Sequence, residues 1–447
     1  MNIVIRKIQE IIKNTKFDNK VYIAGGFVRD YFMNKSSKDI DLVVIGLGLN
    51  AGIELAEFLC KNINLDHKPI IFSRFGTAQI KIFDINIEIV AARKEIYNFK
   101  NRMPEVFEGT LEDDINRRDF SINSILYNIS QKSFIDLKNG IKDIKDGIIR
   151  TTSNPKIIFA EDPLRIMRAI RFAAQLGFKI EENTFNNIIK FVPWLKNISN
   201  ERIRDEFNKI LISKYFVDGI NYLNYSGILS YMISEFSKFD SIQNEDCKWH
   251  TKNLFNHTLE VMTRVPATIE HRLAALLHDV GKVNTMTINN TGIHFYQHQF
   301  HSQRIAKNFM IHYKYTNKQI EWISNSIMMH MNFIEKMSEK TIRKMINKYG
   351  KEQFLFFLDL AMADSLRPER KYIVQSIIDF VNTNKYIPEV ITKMPVNGDM
   401  IMKKYNLKPS KIVGELLAIE KEFLFEFPEA NEFEIYYILD NKIVNNK

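Results

Sequence analysis

The sequence predicts an α+β protein in which a head of mixed strands and helices precedes an elongated all-α body. Two observations support this fold class. Strand-like patterns occur early in the 447-residue chain and largely stop after Ile148, and helical periodicity predominates from there on. The predicted strands are Val21–Ala24, Asp41–Ile45, Gln79–Phe83 and Asn86–Ala91.

One helix is predicted in the head, over Ile53–Lys61, and a stronger one at the start of the body, over Glu161–Gly177. The composition changes again in the polar stretch Ser241–Lys248 and around Pro388 and Pro395. We therefore expect four domains, with bounds 1–150, 151–240, 241–370 and 371–447.

The composition argues against membrane-spanning and disulfide-rich classes of protein. No apolar run is long enough to cross a bilayer, and Met1–Phe17 lacks the apolar core of a signal peptide. Cys60 and Cys247 form no metal or redox motif, so we expect a cytoplasmic protein. A formal net charge of +9 suits a polyanionic partner, although the abundance of Lys, Asn and Ile weakens that inference. No obligate protein partner is inferred.

Two carboxylates one residue apart, Asp39 and Asp41, stand at the start of the second predicted strand. Alternate residues of a strand point to the same face, so both should project together. Two convergent carboxylates suit Mg²⁺, which usually brings substrate phosphates with it. Gly25, Gly26 and Arg29 precede the pair and offer N–H groups and a guanidinium for a triphosphate. The pattern predicts nucleotidyl transfer.

Other charged residues of the head extend this pattern. Glu88 alternates with isoleucines and should face away from the core. It is either a third carboxylate beside the pair or an ordinary exposed residue of a strand. Arg117, Arg118 and Asp119 can bind a phosphate and a sugar hydroxyl, or they form a surface ion pair at the start of a helix.

The helix predicted from Glu161 begins with Asp162 and Pro163, a favourable pair for the N-cap and first turn. A stripe of arginines follows at intervals of three residues, namely Arg165, Arg168 and Arg171. The stripe belongs either to a capped helix with solvated arginines or to a nucleotide-binding face.

A second constellation of histidines and aspartates lies in apolar segments of the body. Its members are His257, His278, Asp279 and Asp364, with His298 and His330 between them. A buried aspartate needs a partner, and a metal ion supplies one. Imidazole and carboxylate ligands suit a divalent transition metal better than Mg²⁺. His298 and His330 can complete a second metal site, and Lys282 can hold phosphate.

Four motifs of the head occur in an order that is typical of a known family. They are Gly25-Gly26-Phe27-Val28-Arg29-Asp30, Asp39-x-Asp41, Arg74-Phe75-Gly76-Thr77 and Arg117-Arg118-Asp119-Phe120. They resemble the motifs of the class II tRNA nucleotidyltransferase and bacterial poly(A) polymerase family, in the polymerase-β superfamily. Ser121 and Ser124 depart mildly from that family, which more often has Thr and Ala at these positions.

The resemblance implies a polymerase-β-like nucleotidyltransferase head with a catalytic set of carboxylates. Asp39 and Asp41 are implied as Mg²⁺ ligands, with Glu88 as the third carboxylate. The implied triphosphate and nucleotide contacts are Gly25, Gly26, Arg29, Arg117, Arg118, Asp119 and Asn123.

The same family reads the incoming base with a Glu-Asp-x-x-Arg pattern, here Glu161, Asp162 and Arg165. A carboxylate accepts from the amino group of cytosine or adenine while a guanidinium donates to the adjacent ring nitrogen. Uracil and guanine present the opposite groups and would be left unpaired. We therefore expect CTP and ATP as substrates, with Arg168 and Arg171 as further nucleotide-binding residues.

The constellation in the body resembles the HD phosphohydrolase domain. His257, His278, Asp279 and Asp364 match its metal-ligand pattern, and the implied metal would polarise a phosphate and activate water. Related chains more often have Gly before and Glu after the residue that corresponds to His298. This chain has Gln297 and Gln299 there, which puts the hydrolase activity in doubt.

Together the motifs predict template-independent addition of CCA to the 3′ end of tRNA, with an HD hydrolase activity in addition. The resemblance makes 151–240 a neck for base recognition and RNA binding. For 371–447 we expect either a contact with the tRNA backbone or helices that only pack the body. Alternatives are an A-only or CC-only enzyme, a bacterial poly(A) polymerase, and an HD phosphohydrolase whose head only binds RNA. The length of Arg93 to Glu112 resembles the family's flexible loop, which CC-only members tend to lack, and the HD set argues mildly against a poly(A) polymerase.

Overall fold

The computed structural model describes residues 3–37, 39–72, 76–96, 105–242, 253–290, 292–383 and 394–444. The chain forms two compact units, Met1–Met232 and Ile233–Lys447. The division between them lies close to the boundary expected at residue 240, and the finer division into four domains stays a prediction. None of the helices in the described ranges has the length and apolar character needed to span a membrane.

The first unit contains a mixed sheet and two small satellite sheets. In chain order its strands are β1 (Val21–Ala24), β2 (Asp39–Val44), β3 (Ile70–Phe72), β4 (Thr77–Ile82), β5 (Ile85–Ala91), β6 (Arg93–Ile96), β7 (Glu105–Glu108), β8 (Leu126–Asn128), β9 (Ser133–Ile135), β10 (Ile148–Ile149) and β11 (Lys179–Ile180). Seven strands form the main sheet in the order β3-β4-β5-β2-β1-β8-β9. Within it β2 and β5 run parallel, whereas the other pairs are antiparallel.

Helices make up the rest of the first unit, and α2 and α3 among them pack against the sheet. They are α1 (Ile3–Ile12), α2 (Gly26–Phe32), α3 (Ala51–Ile63), α4 (Leu111–Asn116), α5 (Gly140–Asp146), α6 (Pro155–Glu161), α7 (Leu164–Leu176), α8 (Glu182–Phe191), α9 (Asn200–Leu211), α10 (Phe216–Tyr225) and α11 (Ile228–Met232). Short 3₁₀ turns occupy Ser121–Asn123 and Val192–Asn197.

The apolar periodicity of the sequence explains the core of this unit. Along β2, Ile40, Leu42, Val43 and Val44 are buried while both aspartates are exposed. The strands and the helix predicted for the head are confirmed to within two residues at each end. The α+β class with a mixed sheet is therefore confirmed as well.

The single helix predicted over Glu161–Gly177 is wrong, because α6 ends at Glu161 and α7 begins at Leu164. Asp162 between them is extended, with φ −142° and ψ 98°, since a residue before proline is disfavoured in the helical region. The Asp162 carboxylate still caps the new helix, because its Oδ1 accepts from the Leu164 N–H at 3.1 Å.

The second unit is mostly helical. After a 3₁₀ segment at Ser234–Ser241 its elements are α12 (Leu254–Arg264), α13 (Ile269–Leu277), α14 (Lys282–Thr285), β12 (Met286–Asn289), β13 (Gly292–Phe295), α15 (His298–His312), α16 (Asn317–Met329), a 3₁₀ turn (His330–Phe333), α17 (Glu339–Tyr349), α18 (Lys351–Asp364), α19 (Pro368–Thr383), α20 (Gly398–Tyr405), α21 (Lys411–Glu426) and α22 (Glu432–Val444). The expectation of an all-α body misses the hairpin of β12 and β13, whose strands are short and largely exposed.

The last three helices close around a separate apolar cluster that includes Val396, Ile401, Leu424 and Leu439. Glu420 is buried in this region, and its Oε1 accepts from the Val396 N–H at 2.9 Å. Burial raises the pKa of this carboxyl. The contact fixes the start of this part of the chain against α21.

We predict that the ion pair between Arg171 of α7 and Glu206 of α9 is needed for the stability of the first unit. The Arg171 Nη1 lies 3.0 Å from Glu206 Oε1, and both residues are buried. Glu206→Ala should lower the free energy of unfolding by about 3–5 kcal/mol, because it leaves a buried guanidinium without its partner.

Urea unfolding of the full chain measures this effect, with exposed Glu201→Ala on the same helix as the control. The double variant Arg171→Met/Glu206→Leu should regain most of the lost stability, since it removes both charges. Equal midpoints for Glu206→Ala and Glu201→Ala would contradict the prediction.

Candidate active site and metal centres

The parallel pairing of β2 with β5 gathers the predicted carboxylates at one edge of the sheet. Asp41 is registered with Glu88, and Asp39 with Asn86, whose Nδ2 donates to Asp39 Oδ1 at 3.3 Å. Desolvation in the cleft, followed by the charge of Glu88, raises the pKa of Asp41. Three exposed carboxylates on adjacent strands form a negative edge that suits a cation.

Gly25 is the residue that lets the chain pass behind this edge. Its φ is +68°, and a Cβ on it would lie 2.6 Å from Asp41 Oδ2. A larger residue would therefore be strained and would displace the carboxylate. Gly26 then opens α2, so the N–H groups predicted to hold a triphosphate lie next to Asp41.

A hydrogen-bond network connects the predicted arginines to Asn123 and Asp119. Arg29 Nη1 donates to Asn123 Oδ1 at 3.0 Å, and Asn123 Nδ2 donates to Asp119 Oδ1 at 3.1 Å. The other Asp119 oxygen accepts from Arg168 Nε and Nη2 at 2.8 and 2.6 Å. Burial alone would raise the pKa of Asp119, but Arg168 and Asn123 hold it below its usual range.

The network corrects the expectation that Asp119 takes a sugar hydroxyl. Its Oδ1 also accepts from the Phe120 N–H at 2.8 Å, so each carboxylate oxygen already has two protein donors. Asp119 therefore orients Asn123 and Arg168 in this structure.

Arg117 and Arg118 share a buried partner that the sequence reasoning missed. Arg118 Nε and Nη2 donate to Asp114 Oδ2 at 3.0 and 2.8 Å, and Arg117 Nη2 donates to Asp114 Oδ1. Burial opposes the charge on Asp114, yet the two guanidinium groups lower its pKa. The i, i+3 and i, i+4 spacing of Asp114 from the arginines is the signal that could have revealed it.

These side chains meet around one cleft of about 830 Å³. The predicted residues that line it are Asp41, Glu88, Arg117, Arg118 and Arg168, and the missed ones include Arg93 and Arg202. An adjoining cleft of about 490 Å³ adds Asp39 to Asp41 and Glu88. Carboxylates and arginines facing one cavity can hold a metal ion together with phosphates.

The proposed base-reading pair is not assembled in this structure. Arg165 Nη1 donates to Glu161 Oε2 at 2.8 Å, and its Nη2 donates to the Arg117 carbonyl at 2.6 Å. Asp162 Oδ2 instead accepts from Arg202 Nη2 at 3.3 Å. The break between α6 and α7 gives Asp162 and Arg165 separate partners, which a continuous helix would not predict.

Arg171 does not join the cleft, because it is buried against Glu206. Nucleotide binding by Arg171 therefore stays a prediction that would need this ion pair to open. Phe172 is a residue that sequence reasoning missed, and the guanidinium carbons of Arg29, Arg168 and Arg171 lie 5.5, 5.3 and 4.5 Å from its ring centroid. One aromatic ring thus organises three of the arginines.

The predicted HD residues converge in the second unit. His257 and His278 each approach both Asp279 and Asp364, with nitrogen–oxygen distances from 3.1 to 3.5 Å. The four ligand atoms all lie within 4.8 Å of one another and are buried. Within the described ranges, Asp39, Asp41 and Glu88 form no group that close.

Asp279 also belongs to a second group, with His298 and His330. Its Oδ1 lies 3.1 Å from His298 Nε2, and the Nε2 atoms of the two histidines are 3.3 Å apart. The Nδ1 of each ring donates to a backbone carbonyl, of Phe295 and Ile327 respectively. In their neutral forms both Nε2 atoms therefore present lone pairs to the same space, as metal ligands do.

The buried polar atoms of this centre fit a metal ion. His278 Nε2 and Asp279 Oδ2 are buried and lie 3.1 Å apart. Burial opposes a charged His278, but Asp279 and Asp364 raise its pKa to about 10. Burial and the charge of His278 lower the pKa of His330 to about 3. The first group thus attracts positive charge, and the second offers a neutral imidazole.

Two cationic side chains flank the ligands. Lys282 Nζ lies 3.0 Å from Asp279 Oδ2, and Arg370 Nη1 lies 3.0 Å from Asp364 Oδ2. Arg370 also donates to the His330 carbonyl at 2.8 Å, and sequence reasoning missed it. Gln297, which replaces the more usual glycine, keeps a left-handed φ of 58°. The backbone before His298 therefore makes a left-handed turn, a conformation that glycine favours.

Parts of the motifs lie outside the described residues. These are Lys38, Arg74 and Phe75, and in the predicted flexible loop the residues 97–104, which include Tyr97 and Pro104.

Three families match successive parts of the chain. The poly A polymerase head domain matches residues 21–150, the probable RNA and SrmB-binding site of polymerase A matches 177–239, and the HD domain matches 254–368.

Curated relatives include tRNA nucleotidyltransferases and CCA-adding enzymes. The A-adding tRNA nucleotidyltransferase of Aquifex aeolicus is 39% identical over 37% of this chain and 19% of its own. The CCA-adding enzyme of Ligilactobacillus salivarius is 27% identical over 94% of this chain and 91% of its own. The chain spans half or less of the length of five relatives that it matches at 30% identity or more, from 19% to 50%.

Solved structures share the fold. A Bacillus stearothermophilus CCA-adding enzyme in complex with CTP superimposes with a TM-score of 0.70 at 20% identity. The match covers 100% of this chain and 99% of that one.

Because Asp279 belongs to both ligand groups, its removal should affect metal binding more than the removal of one histidine. We predict that His330→Ala lowers the Mn²⁺ content by about one ion per chain and Asp279→Ala by about two, relative to the wild type. Elemental analysis after equilibrium dialysis measures the Mn²⁺ content of each protein. Subtracting the value of a variant from that of the wild type removes any contribution from ions bound in the first unit. Exposed His312→Ala is the control, and equal losses in the His330 and Asp279 variants would contradict a shared ligand.

Proposed function

Because this chain belongs to the tRNA nucleotidyltransferase and poly(A) polymerase family with an HD domain, we propose that it adds CCA to the 3′ end of tRNA. The substrates would be CTP and ATP, and no template is used. The near full-length similarity to CCA-adding enzymes supports the proposal.

The observation that carries the proposal is the cleft where Asp41 and Glu88 face Arg117, Arg118 and Arg168. Carboxylates that bind a metal and arginines that bind phosphate are the two requirements of phosphoryl transfer. An RNA-binding head without catalysis would need the arginines but not the carboxylate edge.

The reaction joins the 3′-oxygen of the RNA to the α-phosphorus of the nucleotide and breaks the bond to the β-phosphate. Pyrophosphate leaves, and the hydroxyl proton passes to solvent. Asp39, Asp41 and Glu88 would hold Mg²⁺, which lowers the pKa of the attacking hydroxyl and neutralises the leaving group. Gly25, Gly26, Arg29, Arg117 and Arg118 would hold the triphosphate in line, while Asp119 and Asn123 position the neighbouring side chains.

Asp162 and Arg165 remain the proposed readers of the base. In the described conformation Asp162 contacts Arg202 and Arg165 contacts Glu161. Pairing with cytosine or adenine would therefore require both side chains to exchange these partners for the base. Binding of any base would then cost the energy of breaking the Asp162–Arg202 and Arg165–Glu161 ion pairs. Only a base that forms matching hydrogen bonds would offset this cost.

We further propose a phosphohydrolase activity at the HD centre. Water would attack phosphorus, the ester P–O bond would break, and the leaving oxygen would take a proton. A divalent metal held by His257, His278, Asp279 and Asp364 would polarise the phosphate and activate the water. The convergence of these four buried ligand atoms, all within 4.8 Å of one another, supports this role.

An A-only enzyme is the second candidate, because the Aquifex aeolicus relative with 39% identity is named A-adding. The loop that bears on a CC-only activity includes residues outside the described part of the chain. The proposed partners are tRNA, held also by the C-terminal helices, and the proposed location is the cytoplasm.

Defined tRNA ends distinguish these activities. With CTP and ATP together, we predict that tRNA ending at the discriminator base gains three nucleotides and tRNA ending in CC gains one. Gel analysis at nucleotide resolution measures the products. An A-only enzyme would leave the first tRNA unchanged, and a poly(A) polymerase would keep adding A. UTP or GTP incorporation as fast as CTP incorporation would contradict the proposed base reading.

The two chemistries should be separable by mutation. We predict that Asp39→Ala lowers nucleotide addition at least 1000-fold and spares phosphate release, because its carboxylate lies in the first unit. His278→Ala/Asp279→Ala should have the opposite effect. Radiolabelled tRNA extension and inorganic phosphate assays measure the two rates. An Asp39→Ala protein that still extends tRNA would revive the HD phosphohydrolase with an RNA-binding head.

A further inference from the structure

The hairpin of β12 and β13 forms one wall of a cavity of about 720 Å³ above the HD ligands. On the ligand side the cavity is lined by His257, Asp279, His298, His330 and Asp364, and elsewhere by Lys282, His294, Tyr296, Arg367 and Arg370 among others. A phosphate and a water molecule would fill only a small part of this volume. Its size suits an organic ligand that carries the phosphate.

Two rings of the hairpin form a flat surface in this wall. His294 and Tyr296 are stacked, with their centroids 5.4 Å apart and their planes at 16°. Tyr296 is 64% exposed, so core packing does not explain it. The His294 Nε2 lies 3.1 Å from Asn289 Oδ1 across the hairpin, and this contact orients the His294 ring. A fixed aromatic surface next to a phosphate site can stack with a nucleobase.

The chain connects this surface rigidly to the ligand groups. Tyr296 precedes the ligand His298 by two residues, and Gln297 between them makes the left-handed turn. Phe295, on the other side of Tyr296, is buried, and Lys282 Nζ lies 5.3 Å from its ring centroid. Lys282 in turn contacts Asp279. The cavity wall thus contains the paired rings of His294 and Tyr296, then Lys282, then the Asp279 carboxylate.

The cations place the phosphate beside the HD ligands. Lys282 and Arg370 bind oxygens of the ligand carboxylates Asp279 and Asp364, and Arg367 lines the same cavity. A ligand with its phosphate near these cations would extend its other end toward the hairpin. An aromatic ring there would meet Tyr296.

We propose that Tyr296, supported by His294, determines specificity at the HD site by stacking on the base of a nucleoside phosphate. Phosphate esters that carry a base are then preferred over those that do not. This inference rests on the hydrolase activity proposed above and adds the part of the substrate that the hairpin recognises.

The test compares phosphate release from 2′-, 3′- and 5′-AMP with release from ribose 5-phosphate. The wild type should favour the best AMP isomer by about tenfold or more in kcat/KM. Tyr296→Ala should raise KM for that isomer about tenfold with little change in kcat, and leave ribose 5-phosphate unaffected. Tyr296→Phe keeps the ring and should behave as the wild type. Tyr437→Ala, at a residue with a similar exposure of 65%, is the matched control.

Calorimetric binding of the same AMP isomer to metal-free protein tests the paired rings without turnover. Tyr296→Ala should weaken this binding about tenfold, and comparison with the wild type cancels any binding at the head cleft. Binding that depends on Tyr296 without any phosphate release would overturn the hydrolase activity but keep the stacking role. Equal AMP binding by the wild type and Tyr296→Ala would overturn the inference, as would equal hydrolysis of AMP and ribose 5-phosphate by the wild type.

Discussion

The ion pair between Asp119 and Arg168 is the interaction on which the head cleft depends. A carboxylate held out of water needs donors at every accessible lone pair, and Asp119 receives four at 2.6–3.1 Å. Asn123 is one of these donors, so its side chain is held in place by Asp119. The Asn123 Oδ1 then accepts from Arg29 and positions that guanidinium. The positions of the proposed phosphate-binding groups in the cleft thus follow from the satisfaction of one buried charge.

The HD centre meets the same constraint in a different way. Asp279 is as buried as Asp119 but faces imidazole nitrogens rather than a guanidinium fork. The backbone carbonyls that accept from Nδ1 of His298 and His330 direct their Nε2 lone pairs toward the carboxylate. Lone pairs that face lone pairs require a cation between them. This difference separates a carboxylate that holds the structure together from one that is suited to bind a metal.

Much of the fold and many site residues could be predicted from the sequence, because their signals are local. The alternation along β2 predicts both the strand and the shared face of Asp39 and Asp41, and the His278-Asp279 pair marks the metal centre. What could not be predicted depends on contacts between distant segments. Arg165 pairs with Glu161, four residues earlier, whereas the partner of Arg171 is Glu206 on another helix, which the local sequence does not reveal.

The hairpin shows a second limit of sequence reasoning. Its strands are four residues each and mostly exposed, so the alternation that marks a buried strand is weak. The break at Asp162, in contrast, could have been predicted, because a helix often ends at the residue before a proline. The regular spacing of the arginines suggested a continuous helix instead.

The charges around the head cleft have a consequence for how substrate enters. Five arginines line it, namely Arg93, Arg117, Arg118, Arg168 and Arg202. The same number of carboxylates lines it or binds those arginines: Asp41, Glu88, Asp114, Asp119 and Asp162. The described side chains therefore leave the cleft close to electroneutral, with no surplus to balance the four negative charges of a nucleoside triphosphate. If the proposed nucleotide substrate binds here, it should consequently enter with divalent cations as one nearly neutral complex, and binding should be less sensitive to ionic strength than the number of arginines suggests.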